Sequence, residues 1–116
     1  MKKIFFTALA LTFSFSALAK DTIPASFQGA WEENKSNCGQ SNRDSGLEID
    51  SNSIAGYEES CTLKKILSKT DLSLTGKFSC GGPNGDGIIK VTLTLSPDKK
   101  AITTTGYFDG KKFRCE

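Results

Sequence analysis

Leu72-Ser73-Leu74-Thr75-Gly76-Lys77-Phe78-Ser79-Cys80 alternates two kinds of residue without a break. Leu72, Leu74, Gly76, Phe78 and Cys80 form one row, and Ser73, Thr75, Lys77 and Ser79 the other. Successive side chains of a strand point to opposite faces, so a period of two predicts a strand with one buried face. Ile89, Val91, Leu93 and Leu95 repeat the pattern against Lys90, Thr92, Thr94 and Ser96. Between the two runs, Gly81-Gly82-Pro83-Asn84-Gly85-Asp86-Gly87 reads as a flexible hairpin loop.

The same reading extends in both directions. Toward the C-terminus, Pro97-Asp98 and Asp109-Gly110 are turn pairs around a β-branched, threonine-rich strand, Ala101–Phe108. Phe113 and Cys115 then share one face of a short last strand. Toward the N-terminus, Cys61 and Leu63 begin a strand that runs through Ile66 and Leu67, preceded by Ile54–Glu58 and a Ser51-Asn52 turn. Leu47 and Ile49 alternate with Glu48 and Asp50. Asn34–Gly46 is polar and glycine-containing, a loop that carries Cys38, and Phe27–Glu33 reads as the first strand. The lead-in 20–26 is too brief for a packed helix. Short strands separated by turn signals predict an all-β fold: a small up-and-down barrel or meander of seven to eight strands. Closing the sheet would remove its exposed edges.

Residues 1–19 have the parts of an export signal peptide. Lys2 and Lys3 are followed by a mostly apolar run from Ile4 to Phe15, and Ala17-Leu18-Ala19 places small residues at −3 and −1. The apolar run is short of the roughly 20 residues a bilayer span needs. Cleavage after Ala19 leaves 20–116 as a single β-barrel domain, periplasmic or secreted, with no membrane insertion. Of 15 basic and 13 acidic residues, Lys2 and Lys3 leave with the signal, so the remainder is formally neutral. That balance gives no support to nucleic-acid or anionic-membrane binding, which rest on surplus positive charge. Lys64-Lys65, Lys99-Lys100 and Lys111-Lys112 accordingly read as solvated turns and edges.

Cys38, Cys61, Cys80 and Cys115 are an even number in an exported chain, which predicts two disulfides. Four cysteines allow three pairings. Cys38–Cys61 with Cys80–Cys115 is the expected one, because each bridge then lies within one half of the chain. A metal site is disfavoured, since no CxxC spacing occurs and the chain has no histidine. The same lack removes Ser-His-Asp and Cys-His catalysis and the HExxH metalloproteases. Glu32-Glu33 and Glu58-Glu59 are carboxylate pairs, but adjacent strand residues face opposite ways, so only one carboxylate from each could converge. No GK[ST] follows the glycine-rich loop, and Asn84 with Asp86 is too small an oxygen set for calcium. Hence no catalytic residue, cofactor or metal is expected.

Phe27-Gln28-Gly29-Ala30-Trp31 places a Gly-x-Trp near the expected mature terminus, which resembles the opening of lipocalin-type barrels. The resemblance implies that Trp31 closes the barrel floor and that a last-strand arginine, here Arg114, packs on it. Arg over Trp is a favourable cation–π arrangement. The chain is shorter than a typical lipocalin. Ile23, Pro24, Phe27, Gly29, Trp31, Arg114 and Cys115 also resemble small exported proteobacterial proteins that open with Ile-Pro-x-x-Phe-x-Gly-x-Trp and end near Arg-Cys. That likeness implies fold and compartment, and no activity. A fainter one, through Gly29, Trp31 and a Cys38–Cys61 bridge, is to bacterial inhibitors of secreted metalloproteases. Their inhibitory trunk has no counterpart in 20–26.

These readings converge on a monomeric exported binding protein that is not an enzyme. The first expectation is recognition of another protein, as an inhibitor or immunity-type partner, through loops and one barrel face. The rival is a carrier of a small apolar ligand, which would be lined by Phe78, Leu93 or Tyr107.

Overall fold

The computed structural model describes residues 21–40, 45–83 and 85–116. The expected export signal, 1–19, and Asn84 of the glycine-rich loop lie outside the described residues. Eight antiparallel strands follow one another around a closed barrel: β1 (Gly29–Glu32), β2 (Leu47–Ile49), β3 (Ser53–Gly56), β4 (Glu59–Lys69), β5 (Ser73–Gly81), β6 (Gly87–Leu95), β7 (Ala101–Thr105) and β8 (Gly110–Arg114). β8 returns to β1 through the pairs Trp31↔Arg114 and Glu32↔Phe113. The fold is the expected up-and-down all-β barrel, and closure leaves no free sheet edge around the ring.

The alternating rows explain the core. Leu74, Phe78 and Cys80 of β5 point inward with Val91, Leu93 and Leu95 of β6, and all are buried. Each such apolar side chain contributes about 1.5–3 kcal/mol relative to exposure. Gly76, in the same row, is a close-approach point: a Cβ there would lie 3.0 Å from the Lys65 carbonyl oxygen and 3.1 Å from Leu63 Cδ1. It sits where β4 is irregular. Lys69 pairs with Leu74 and Leu63 with Phe78, with register shifts between Leu63/Lys65 and Ile66/Ser68. The extra residues, Lys64 and Leu67, are bulges, and bulges bend and twist a strand as closure requires.

The register shifts correct the expected disulfides. The bridges are Cys61–Cys80 and Cys38–Cys115. Cys61 and Cys80 are directly opposed on β4 and β5 and face the core. Counting back residue by residue from Lys69↔Leu74 would place Leu63 opposite Cys80. Two bulges move the partner to Cys61. With Cys61 taken by Cys80, Cys38 bonds Cys115, which follows β8 and donates its N–H to the Ala30 carbonyl at 2.8 Å. The two disulfides fit an oxidising, exported environment. Among the described residues no helix is long and apolar enough to cross a membrane.

Several strand limits also differ from expectation. Phe27 belongs to a 3-10 turn, Ala25–Phe27, and β1 starts only at Gly29. β3 stops at Gly56, because Glu58 adopts φ 58° to make the turn into β4. β7 stops at Thr105, since Gly106 has φ +108° and its α-carbon lies against the Lys90 carbonyl where no side chain fits. The Asn34–Gly46 loop contains a 3-10 turn, Lys35–Asn37. Phe113 and Cys115 do share a face, but it is the outer one. The inward positions of β8 are Lys112 and Arg114, with Arg114 opposite the fully buried Trp31.

Candidate functional site: a sealed floor and an open mouth

The lead-in seals one end of the barrel. Ile23 and Phe27 are buried to 1% and 0% exposure beneath the strands. The Ile23 N–H donates to Ser51 O at 2.8 Å, and Gln28 Nε2 donates to Ile23 O at 2.8 Å. β4 runs past the end of its ladder with β3, and Asp21 Oδ2 accepts the Ile66 N–H at 2.8 Å there. A segment too short for a packed helix therefore works as a plug.

The three structural residues singled out from the sequence meet at this floor. Arg114 Cζ lies 4.2 Å from the Trp31 ring centroid. Its Nη1 donates to Gln28 O (3.0 Å), Nη2 to Ser26 O (2.7 Å) and Nε to Lys99 O (3.0 Å). Trp31 Nε1 donates to Phe27 O at 3.1 Å. Gly29 adjoins them, with space for a Cβ 3.5 Å from Arg114 Nη1. The guanidinium thus ties the lead-in, β1, β8 and the β6–β7 turn together while covering the indole face.

The opposite end is open. A groove of about 320 Å³ lies there, lined among others by Glu33, Tyr57, Glu59, Tyr107, Phe108 and Lys112. Phe108 is 8% exposed and lies over Gly56, where an added Cβ would come within 2.9 Å of Phe108 Cε1. One carboxylate of each sequence pair, Glu33 and Glu59, reaches this groove. Of their neighbours, Glu32 is fully buried and its Oε1 accepts a hydrogen bond from Ser45 Oγ at 3.1 Å. Alternation puts Glu32 on the outer face, where Ser45, two residues before β2, lies against it. Lys112 is only 7% exposed, and among the described residues no hydrogen bond or ion pair holds its ammonium. Sequence reading missed both burials, because each depends on a loop or strand distant in the chain.

The connections around the mouth are tied to one another. Thr104 Oγ1 donates to the Phe108 carbonyl, and Asp109 Oδ1 accepts the Gly106 N–H at 2.7 Å. Tyr107 Oη donates to Gly85 O at 3.1 Å, joining the β7–β8 turn to the β5–β6 loop. Loss of solvent, and then the carboxylates of Glu59 and Asp86, push its phenol pKa above the ordinary value. Two large apolar side chains stand out nearby, Tyr57 at 58% and Ile88 at 62% exposure.

The interior itself is occupied. Phe27, Trp31, Leu74, Phe78, Val91 and Leu93 are all at 0% exposure. Two of the three residues expected to line a carrier cavity, Phe78 and Leu93, are packed core, and the third, Tyr107, is committed to the rim. Among the described residues no group of His, Cys, Asp and Glu is arranged to hold a metal. Comparison with family models, with curated proteins and with solved structures found no match to this chain.

Proposed function

We propose that this protein is an exported, non-enzymatic binding protein of the periplasm or cell exterior that recognises another protein, in the manner of an inhibitor or immunity partner. The filled interior carries this reading. Phe78 and Leu93, which an apolar ligand would have to contact, are instead packed against their neighbours at 0% exposure. Binding is then left to the outside, where cross-tied connections and the exposed Tyr57 and Ile88 provide a pre-organised surface.

The test is capture by the immobilised, oxidised protein from the periplasm of its host. One protein should be retained stoichiometrically, and Tyr57→Ala with Ile88→Ser should weaken its capture about tenfold or more. A small apolar molecule that stays bound in native mass spectrometry, with no protein retained, would overturn the reading in favour of a carrier.

A further inference from the structure

The formal neutrality of residues 20–116 hides a segregation of charge that only the barrel reveals. The strands β1, β2 and β3 contain Glu32 and Glu48 and no basic residue. The strands β5 through β8 contain Lys77, Lys90, Lys111, Lys112 and Arg114 and no acidic residue. The single carboxylate of β4, Glu59, is at its mouth end.

Register sharpens this into a pattern. Lys65 of β4 pairs with Lys77 of β5, and Lys77 pairs with Lys90 of β6. All three are exposed. Neighbouring strands are roughly 4.8 Å apart, so three ammonium-bearing side chains leave the surface along a row of about 10 Å. The rows on either side are hydroxyl-rich: Thr62, Ser79 and Ile88 toward the mouth, and Ser68, Thr75, Thr92 and Thr105 toward the floor. Thr75 Oγ1 and Thr92 Oγ1 are hydrogen-bonded at 2.9 Å. Like charges placed directly opposite on neighbouring strands destabilise a sheet. The free protein gains nothing from this row; a facing set of carboxylates would.

We propose that the outer face of β4, β5 and β6, centred on Lys65, Lys77 and Lys90, docks an acidic protein surface. This inference rests on the reading that the protein works by recognising another protein, and it names the chemistry of that partner. Carboxylates at i and i+4 of a helix are about 5–6 Å apart, close to the step of the lysine row. The hydroxyl rows supply donors and acceptors for a polar rim. The face offers no aromatic ring on which bases would stack and no arginine for bidentate phosphate recognition, the features expected of a nucleic-acid surface. Leu67 and Ile88 are the exposed large apolar residues of these three strands, too few for a membrane-inserting face.

The experiment uses the oxidised full chain and dye-labelled poly-L-glutamate as probe, followed by fluorescence anisotropy at low ionic strength. Binding should saturate and weaken with added salt. The triple variant Lys65→Gln, Lys77→Gln, Lys90→Gln should bind roughly tenfold or more weakly. Lys99→Gln, Lys100→Gln, Lys111→Gln removes the same charge elsewhere and should bind like the parent. Equal losses in the two triples would reduce the effect to net charge and overturn the proposal. So would preference for heparin or for phosphatidylglycerol vesicles over polyglutamate. A dimer in sedimentation velocity that the first triple dissolves would make the occupant a second copy of this chain, again overturning it. The first triple keeps the core intact, so its melting temperature should equal or exceed the parent's. If the face fails while periplasmic capture still depends on Tyr57, protein recognition stands and only this surface falls.

Discussion

Arg114 and Lys112 lie two residues apart on the inner face of the same strand, and their surroundings differ in kind. Arg114 donates to three backbone carbonyls and stacks on Trp31. Lys112 is buried at the mouth beside Phe108 and a groove, with no hydrogen bond or ion pair among the described residues. A buried cation with satisfied donors organises its neighbours, whereas one without them raises the free energy of the folded state. The floor cation is therefore a structural tie, and the mouth cation is not. The mouth keeps features that a fold selected for stability alone would lack: a buried lysine, a left-handed Glu58 and an exposed Tyr57.

The largest expected effect tests the two ends through their bridges. Cys38–Cys115 spans 77 residues and fastens the long loop to the floor side, while Cys61–Cys80 spans 19 beneath the mouth. Chain entropy assigns them about 4.5 and about 3 kcal/mol respectively. Full reduction should therefore lower the melting temperature by roughly 30 °C or more, at about 4–8 °C per kcal/mol. The Cys38→Ser, Cys115→Ser variant should lose more than Cys61→Ser, Cys80→Ser. The reverse order, read by calorimetry, would show that packing of the buried bridge outweighs loop closure.

Next in size is the floor itself. Trp31→Ala should cost about 3–5 kcal/mol in urea unfolding. Arg114→Gln should cost about 1–3 kcal/mol, through carbonyls left without donors. If Arg114→Gln unfolds like the parent, the floor is held by the plug alone. At the mouth the sign should invert. Lys112→Met keeps the volume and removes an unpaired buried charge, so it should stabilise by about 1 kcal/mol. Destabilisation there would end the contrast between the two ends.

The smallest effects separate the ends by pH. Two floor-end turns are capped by carboxylates. Asp50 Oδ1 accepts from the N–H groups of Asn52 and Ser53 and from Ser53 Oγ, and Asp98 Oδ1 accepts from Ser96 Oγ and the Lys100 N–H. These bonds, the Asn52 N–H first for Asp50 and the Ser96 hydroxyl first for Asp98, hold both pKa values below the ordinary 3.8. Their contribution is complete above the unfolded value and lost as pH falls through the folded one. Melting temperature should therefore drop below about pH 4, and Asp50→Asn with Asp98→Asn should flatten that drop. At the mouth, Tyr107 has a raised pKa, so its contribution is present below about pH 10 and lost as pH climbs beyond it. Tyr107→Phe should remove that alkaline loss.

Much of the barrel is legible in the chain because a period of two is local. The Leu72–Cys80 and Ile89–Leu95 rows identify their buried faces without reference to any partner, and turn residues mark where strands end. The floor was legible through the Gly-x-Trp resemblance, which brought Gly29, Trp31 and Arg114 together for consideration. The mouth was not. Lys112 and Glu32 carry the residue types of solvated positions, and nothing near them in sequence announces their burial. The lysine row was equally hidden, since Lys65, Lys77 and Lys90 are ordinary polar positions of three separate strands.

By itself, then, the sequence determined the all-β class, the inward rows and the presence of two bridges, because alternation and cysteine parity are properties of short stretches and of composition. Tertiary structure alone decided which cysteines meet, which side chains the loops bury and which lysines stand side by side. Each of those depends on register. Two bulged residues, Lys64 and Leu67, shift it by two positions, and closure between β1 and β8 then fixes it around the whole ring.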